Sequence, residues 1–194
     1  MIKKISIITC MLFCSACSIA QKIILKVSID NRVASSQNDT IYYDINRPLT
    51  WADFKGVPEI NHPGGAVTAS GFAFDAKMNM TGNNVYLDIK VFTFFSKHSS
   101  WKKPNINSSY HLLHEQHHFD ITRIYAQKFY DELLKANFTI NNYNKLLSSI
   151  FNKIFEENNE FQKKYDDETQ HSINTKEQLK WNDEIEKKIK GVAG

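Results

Sequence analysis

At 194 residues, with 42% hydrophobic and 23% charged residues, the chain carries enough apolar material for one folded domain, and disorder is excluded as its main state. The formal charge of +3 falls almost to zero once an N-terminal segment carrying Lys3 and Lys4 is set aside. That leaves no electrostatic ground for nucleic acid or an anionic membrane as a partner.

Met1 to Lys4 is a short basic start, Ile5 to Cys17 a nearly unbroken apolar run, and Ser18-Ile19-Ala20 offers small residues where a signal peptidase reads. The expectation is a signal peptide over residues 1–20, cleaved before Gln21, and a single exported domain over 21–194 in the periplasm, at the cell surface or outside the cell. An uncleaved anchor and a lipid anchor on Cys17 are the alternatives, the second because Cys14-Ser15-Ala16-Cys17 loosely resembles a lipobox. No later stretch is long and apolar enough to span a membrane. Cys10, Cys14 and Cys17 are the chain's three cysteines. All lie in the export segment, so the mature chain can hold a metal only through His, Asp or Glu.

Gln21 to Asp30 alternates weakly and suits a first strand; Asn31 to Thr40 is polar and reads as a linker; Ile41-Tyr42-Tyr43 is a short strand. Thr50 caps one helical turn that Gly56 and Pro58 stop, and a Pro- and Gly-marked loop follows to Gly65. Val67 to Met78 and Val85 to Phe95, separated by Thr81-Gly82-Asn83-Asn84, form a hairpin pattern. The second run alternates Val85, Leu87, Ile89 and Val91 against Tyr86, Asp88 and Lys90, so one face is buried and the other partly wet.

Three helices follow. The first starts at Ser108 or Ser109 and runs to about Ala136. The second takes its apolar face from Tyr143, Leu147, Ile150, Ile154, Phe161 and Tyr165. After an irregular stretch from Asp166 to Asn174, Thr175 opens the third through Trp181, Ile185 and Ile189.

The first helix carries His114-Glu115-Gln116-His117-His118, an H-E-x-x-H pattern. At 3.6 residues per turn His114 and His118 lie about 40° apart around the axis and one turn along it. Both imidazoles can therefore reach one Zn2+ ion. Glu115 stands beside the first ligand, placed to take a proton from a water that zinc has acidified and to return it to a leaving amine. The third ligand is open among His171, Glu168 and Asp166 downstream, all in the irregular stretch. His62 and His98, upstream, read as surface histidines. Asp120 and Asp166 are candidates to orient the ligand imidazoles, and Tyr165 and Tyr125 to donate to an oxyanion.

The segments Leu49-Thr50-Trp51-Ala52-Asp53-Phe54-Lys55-Gly56-Val57-Pro58, Ala66-Val67-Thr68-Ala69-Ser70-Gly71, Ser100-Trp101, Leu112 to Ile121, Tyr165-Asp166-x-x-Thr169-x-His171 and Gln178-x-x-Trp181 resemble a bacterial family of unknown function labelled predicted secreted Zn-dependent proteases. They span nearly the whole mature chain in order. The resemblance implies a zinc site with His114 and His118 as ligands, Glu115 as catalyst and His171 as the third ligand. The chain departs from the family at His117, where a small residue such as Gly is usual, and at Ser172, where Gly usually follows the histidine.

The expected architecture is α+β and zincin-like, a β-rich N-terminal half with a hairpin packed on three C-terminal helices, the first carrying the motif. The expected function is a secreted zinc metallopeptidase acting on a peptide or protein. An extended substrate would add to the sheet along Val85 to Phe95. A non-catalytic zinc- or peptide-binding protein and a hydrolase of another amide in the cell envelope are the rivals.

Overall fold

The computed structural model describes residues 23–30 and 39–192. The expected signal peptide, the lipobox and most of the expected linker lie outside them. Among the described residues no helix is long and apolar enough to cross a membrane.

The architecture is α+β. Strand β1 spans Ile23–Ile29, β2 Thr40–Tyr42, β3 Ala66–Val67, β4 Ser70–Thr81, β5 Asn84–Ser96 and β6 Trp101–Lys102. Helix α1 spans Ser109–Lys135, α2 Tyr143–Thr169 and α3 Thr175–Val192. The predicted hairpin is β4 and β5, paired antiparallel from Ser70↔Phe95 to Thr81↔Asn84. Its turn needs a left-handed residue, and Gly82 supplies it at φ 59°. The predicted turn at Thr50 is a short 3-10 helix, Trp51–Asp53, held where Asp53 Oδ2 accepts from the Thr50 N–H at 2.8 Å.

β5 is the centre of the main sheet. β4 covers one edge, and β1 and β2 share the other, β1 parallel along Val85 to Val91 and β2 antiparallel at Phe94 to Ser96. This corrects the expectation that Val85 to Phe95 receives an extended substrate. Both its edges are already paired, so its N–H and C=O groups are spent on the sheet.

The inner face of β5 packs with Phe72 of β4 on Ala126, Phe129 and Leu133 of α1 and on Leu147 and Ile154 of α2. The alternation read from the sequence is therefore the core pattern. Burying each large apolar side chain there stabilises the fold by about 1.5–3 kcal/mol. A second cluster joins Ile41, Leu49, Phe54 and Phe95 to Phe119 of α1. A third, helix on helix, joins Ile121 to Tyr165, Trp181 and Ile185. Helix α1 is thus enclosed on three sides, and this fixes the phase at which its histidines face α2.

α2 continues one turn past the expected end, to Thr169. Asp166 and Glu168, expected on irregular backbone, are helical. The break is confined to Gln170 through Asn174, where Gln170, His171 and Ser172 are all left-handed, at φ 50°, 51° and 71°. Each such non-glycine residue costs roughly 1 kcal/mol or more. The turn is stapled by the Asn174 N–H to the Thr169 carbonyl at 2.8 Å and by the Tyr110 hydroxyl to the Ser172 carbonyl at 2.8 Å.

Candidate metal centre

His114 and His118 project from α1 towards α2, their rings perpendicular with centroids 4.9 Å apart. Each Nε2 lies 3.2 Å from the same atom, Oδ1 of Asp166. His171, on the left-handed turn, brings its Nδ1 to 3.2 Å from that oxygen as well. The candidate ligand atoms of His114, His118 and Asp166 all lie within 4.8 Å of one another. His171 meets that set through Asp166. The centre opens on the Asp166 and His171 side, where the side chains are 28% and 34% exposed, against 4% for His114.

The opposite ring nitrogens are held by two glutamines. Oε1 of Gln178 is 2.8 Å from His114 Nδ1, while Nε2 of Gln178 donates to the Tyr165 hydroxyl at 2.7 Å and to Asn182 at 2.8 Å. Oε1 of Gln162 is 2.6 Å from His118 Nδ1, while its Nε2 donates to the His118 carbonyl at 2.9 Å and to Thr122. Both amides thus turn their oxygens to the imidazoles, so both Nδ1 atoms carry the protons. Each Nε2 then presents a lone pair towards an ionised carboxylate. Three acceptors converge with no donor between them, an arrangement that requires a cation or an added proton. Each Nε2–Oδ1 distance of 3.2 Å is close to the roughly 3.3 Å between tetrahedral ligands held at about 2.0–2.1 Å from an ion, and the set as a whole lies within 4.8 Å.

Without a metal, protons fill that role. Burial would raise the Asp166 carboxyl, but its hydrogen bonds to His114 and His118 and their charge hold it far below the usual carboxylate range. Burial would lower His118, but the Asp166 hydrogen bond and the charges of Asp166 and Glu115 push it up to about 9.

Glu115 is buried, and its Oε2 accepts from the Thr68 hydroxyl at 2.7 Å. Thr68 also donates to the Glu115 carbonyl at 3.1 Å. Among the described residues no protein donor reaches Glu115 Oε1.

The other expected site residues take different places. Asp120 does not orient a ligand imidazole. It accepts from Tyr43 at 2.8 Å and Gln116 at 2.9 Å, and it pairs with Nδ1 of His117 at 3.0 Å. Asp166 lies on the Nε2 side of the imidazoles, at the point where both Nε2 atoms converge, and does not support the rings from behind. Tyr165 is fully buried and stacks on the His114 ring at 4.7 Å, its hydroxyl held by Gln178. It sets the ring plane. Glu168 turns away to accept from Trp181 Nε1 at 2.9 Å. His98 pairs with Asp39 on the surface. Nothing in the sequence alone gives Gln162, Gln178 or Thr68 a role. The one local signal for Gln162 is its position four residues before Asp166, on the same face of α2.

Residues 100–172 match the family model described as a bacterial protein of unknown function, DUF922. The match is under half of the chain, yet it contains His114, Glu115, His118, Gln162, Asp166 and His171 together. Thr68 and Gln178 fall outside it. No curated protein and no solved structure matches the chain.

Proposed function

We propose that this chain is an exported, zincin-like zinc hydrolase of amide bonds, acting on peptide or protein substrates. The observation that carries the reading is the convergence of His114 Nε2, His118 Nε2 and Asp166 Oδ1 with Glu115 next to the first ligand. His114, His118 and Asp166 would hold the ion, with His171 at the open side as the further ligand. An all-nitrogen and oxygen donor set, with the carboxylate oxygen 3.2 Å from both imidazole nitrogens, suits zinc.

A zinc ion held there supplies Lewis acidity to a carbonyl oxygen and to water. Gln178 and Gln162 keep the imidazole protons on Nδ1, so the lone pairs stay on Nε2. The Thr68 hydroxyl holds Glu115 through Oε2 and leaves Oε1 to accept a proton from the attacking water. The carbon–oxygen bond forms, the carbon–nitrogen bond breaks, and Glu115 passes that proton to the leaving nitrogen. A site that only stored metal would have no use for a buried carboxylate fixed beside the ligand pair. The basic, apolar N-terminus supports export, and the near-neutral mature charge favours neither nucleic acid nor lipid headgroups.

The test is the zinc content of the purified chain, together with casein hydrolysis by wild type and Glu115→Gln. About one zinc per chain in both proteins, with hydrolysis only in the wild type, is expected. A chain without zinc, or equal hydrolysis by the two, removes the reading.

A further inference from the structure

The segment between the short 3-10 helix and β4 meets the centre at Glu115, through Thr68, and at His171, through His62. Its loop is tied down at several points. The Lys103 ammonium donates to the His62 carbonyl at 2.6 Å, and the Lys103 N–H donates to the Gly65 carbonyl at 2.8 Å. Gly65 lies flush on Ile106, where a Cβ would come within 2.8 Å of the side chain. The two-residue ladder Ala66↔Lys102, Val67↔Trp101 continues straight into Thr68, which holds Glu115.

This same segment carries His62. Its ring stands edge-on to Trp101 at 5.2 Å and to His171 at 6.2 Å. Nδ1 of His62 accepts from the Gly64 N–H at 3.1 Å. An acceptor cannot carry the proton, so neutral His62 bears it on Nε2. Among the described residues Nε2 has no protein partner. A donor with no protein partner thus stands beside His171, braced by a buried tryptophan, on the segment that also positions Glu115.

We infer that His62 contacts the substrate, donating from Nε2 to the carbonyl oxygen, or the oxyanion derived from it, held at the centre. This rests on the proposed hydrolase reading and adds to it a donor from outside the matched family region. Its place in the mechanism is that of an oxyanion donor standing beside His171. The ligand class it selects is an oxygen anion or a polarised carbonyl.

The experiment compares zinc-loaded wild type with His62→Phe and His62→Gln, reading zinc content, thermal midpoint and the affinity for acetohydroxamate by calorimetry. Phenylalanine keeps the ring against Trp101 but has no N–H; glutamine can return a donor near the Nε2 position. The expected result is full zinc in all three, about tenfold weaker acetohydroxamate binding by His62→Phe, and recovery to within about threefold by His62→Gln. Equal affinity in wild type and His62→Phe overturns the inference while leaving the metal centre intact. Zinc loss in His62→Phe also overturns it, because the ring would then be holding the site together and not touching a ligand. Wild type that takes up no zinc defeats the hydrolase reading and this inference together, an outcome distinct from the other two. His98→Ala, at the surface pair with Asp39, serves as the control that changes none of these readouts.

Discussion

Gln178 and His114 meet across 64 positions of sequence, the amide oxygen 2.8 Å from Nδ1 of the imidazole. The contact links α3 to α1 and decides which nitrogen of His114 faces the centre. Gln162 does the same for His118 from α2. Three helices are therefore needed to make one pair of lone pairs converge.

Replacing Gln162 by Ala should weaken zinc affinity by roughly 10–100-fold while the fold persists, the usual cost of losing a hydrogen bond behind a ligand imidazole. Gln162→Glu should retain most of the affinity, because a carboxylate still accepts from Nδ1. Competition with a chromogenic chelator measures both; equal affinities for wild type and Gln162→Ala would remove the orienting role.

Among the proposed ligands, His114→Ala and His118→Ala should each release the metal. Asp166→Ala should cost more affinity than Gln162→Ala, since it removes a donor atom and not a support. His171→Ala should weaken binding less than Asp166→Ala, because His171 reaches the set only through the Asp166 oxygen at 3.2 Å. The same chelator assay ranks the four. If His171→Ala lost zinc while Asp166→Ala kept it, the ligand would be the histidine on the strained turn and the carboxylate its neighbour.

Thr68→Val removes the hydroxyl that holds Glu115 and little volume. Zinc content should stay near one per chain, and turnover should fall by up to about 100-fold as the carboxylate loses its fixed position. A change in KM with unchanged kcat would place Thr68 in substrate binding instead.

The metal-free protein should show a distinctive pH response. His118 is raised from 6.5 to about 9 in the folded state, so its pairing with Asp166 stabilises the fold fully below pH 6.5, and that contribution is lost as pH rises through about 9. Asp166 is depressed, so its contribution is present above pH 3.8 and is lost as pH falls towards its folded value. Thermal midpoints of metal-stripped protein should therefore decline between pH 6.5 and 9. Zinc affinity should climb over the same window, because ligation needs the deprotonated imidazoles. A metal-stripped midpoint that rises between pH 6.5 and 9 would falsify the pairing.

The sequence alone determined what depends on local repetition. The alternation along Val85 to Val91 gave the buried face of β5, Thr81 to Asn84 gave the turn, and the four-residue spacing of His114 and His118 set both rings on one face of α1. These follow from strand and helix periods, which act over a few residues. The tertiary structure decided the rest. Asp166 faces the Nε2 atoms because α2 runs one turn longer than its apolar pattern shows and packs at a particular phase on α1. β5 is central, and closed to an added strand, because β1 returns parallel to it from more than fifty residues away, Ile23 beside Val85. Thr68 and His62 come from the segment before β4, Gln162 from α2 and Gln178 from α3. A side chain's period along its own element carries no information about what packs against it, so such convergence becomes legible only when the elements are assembled.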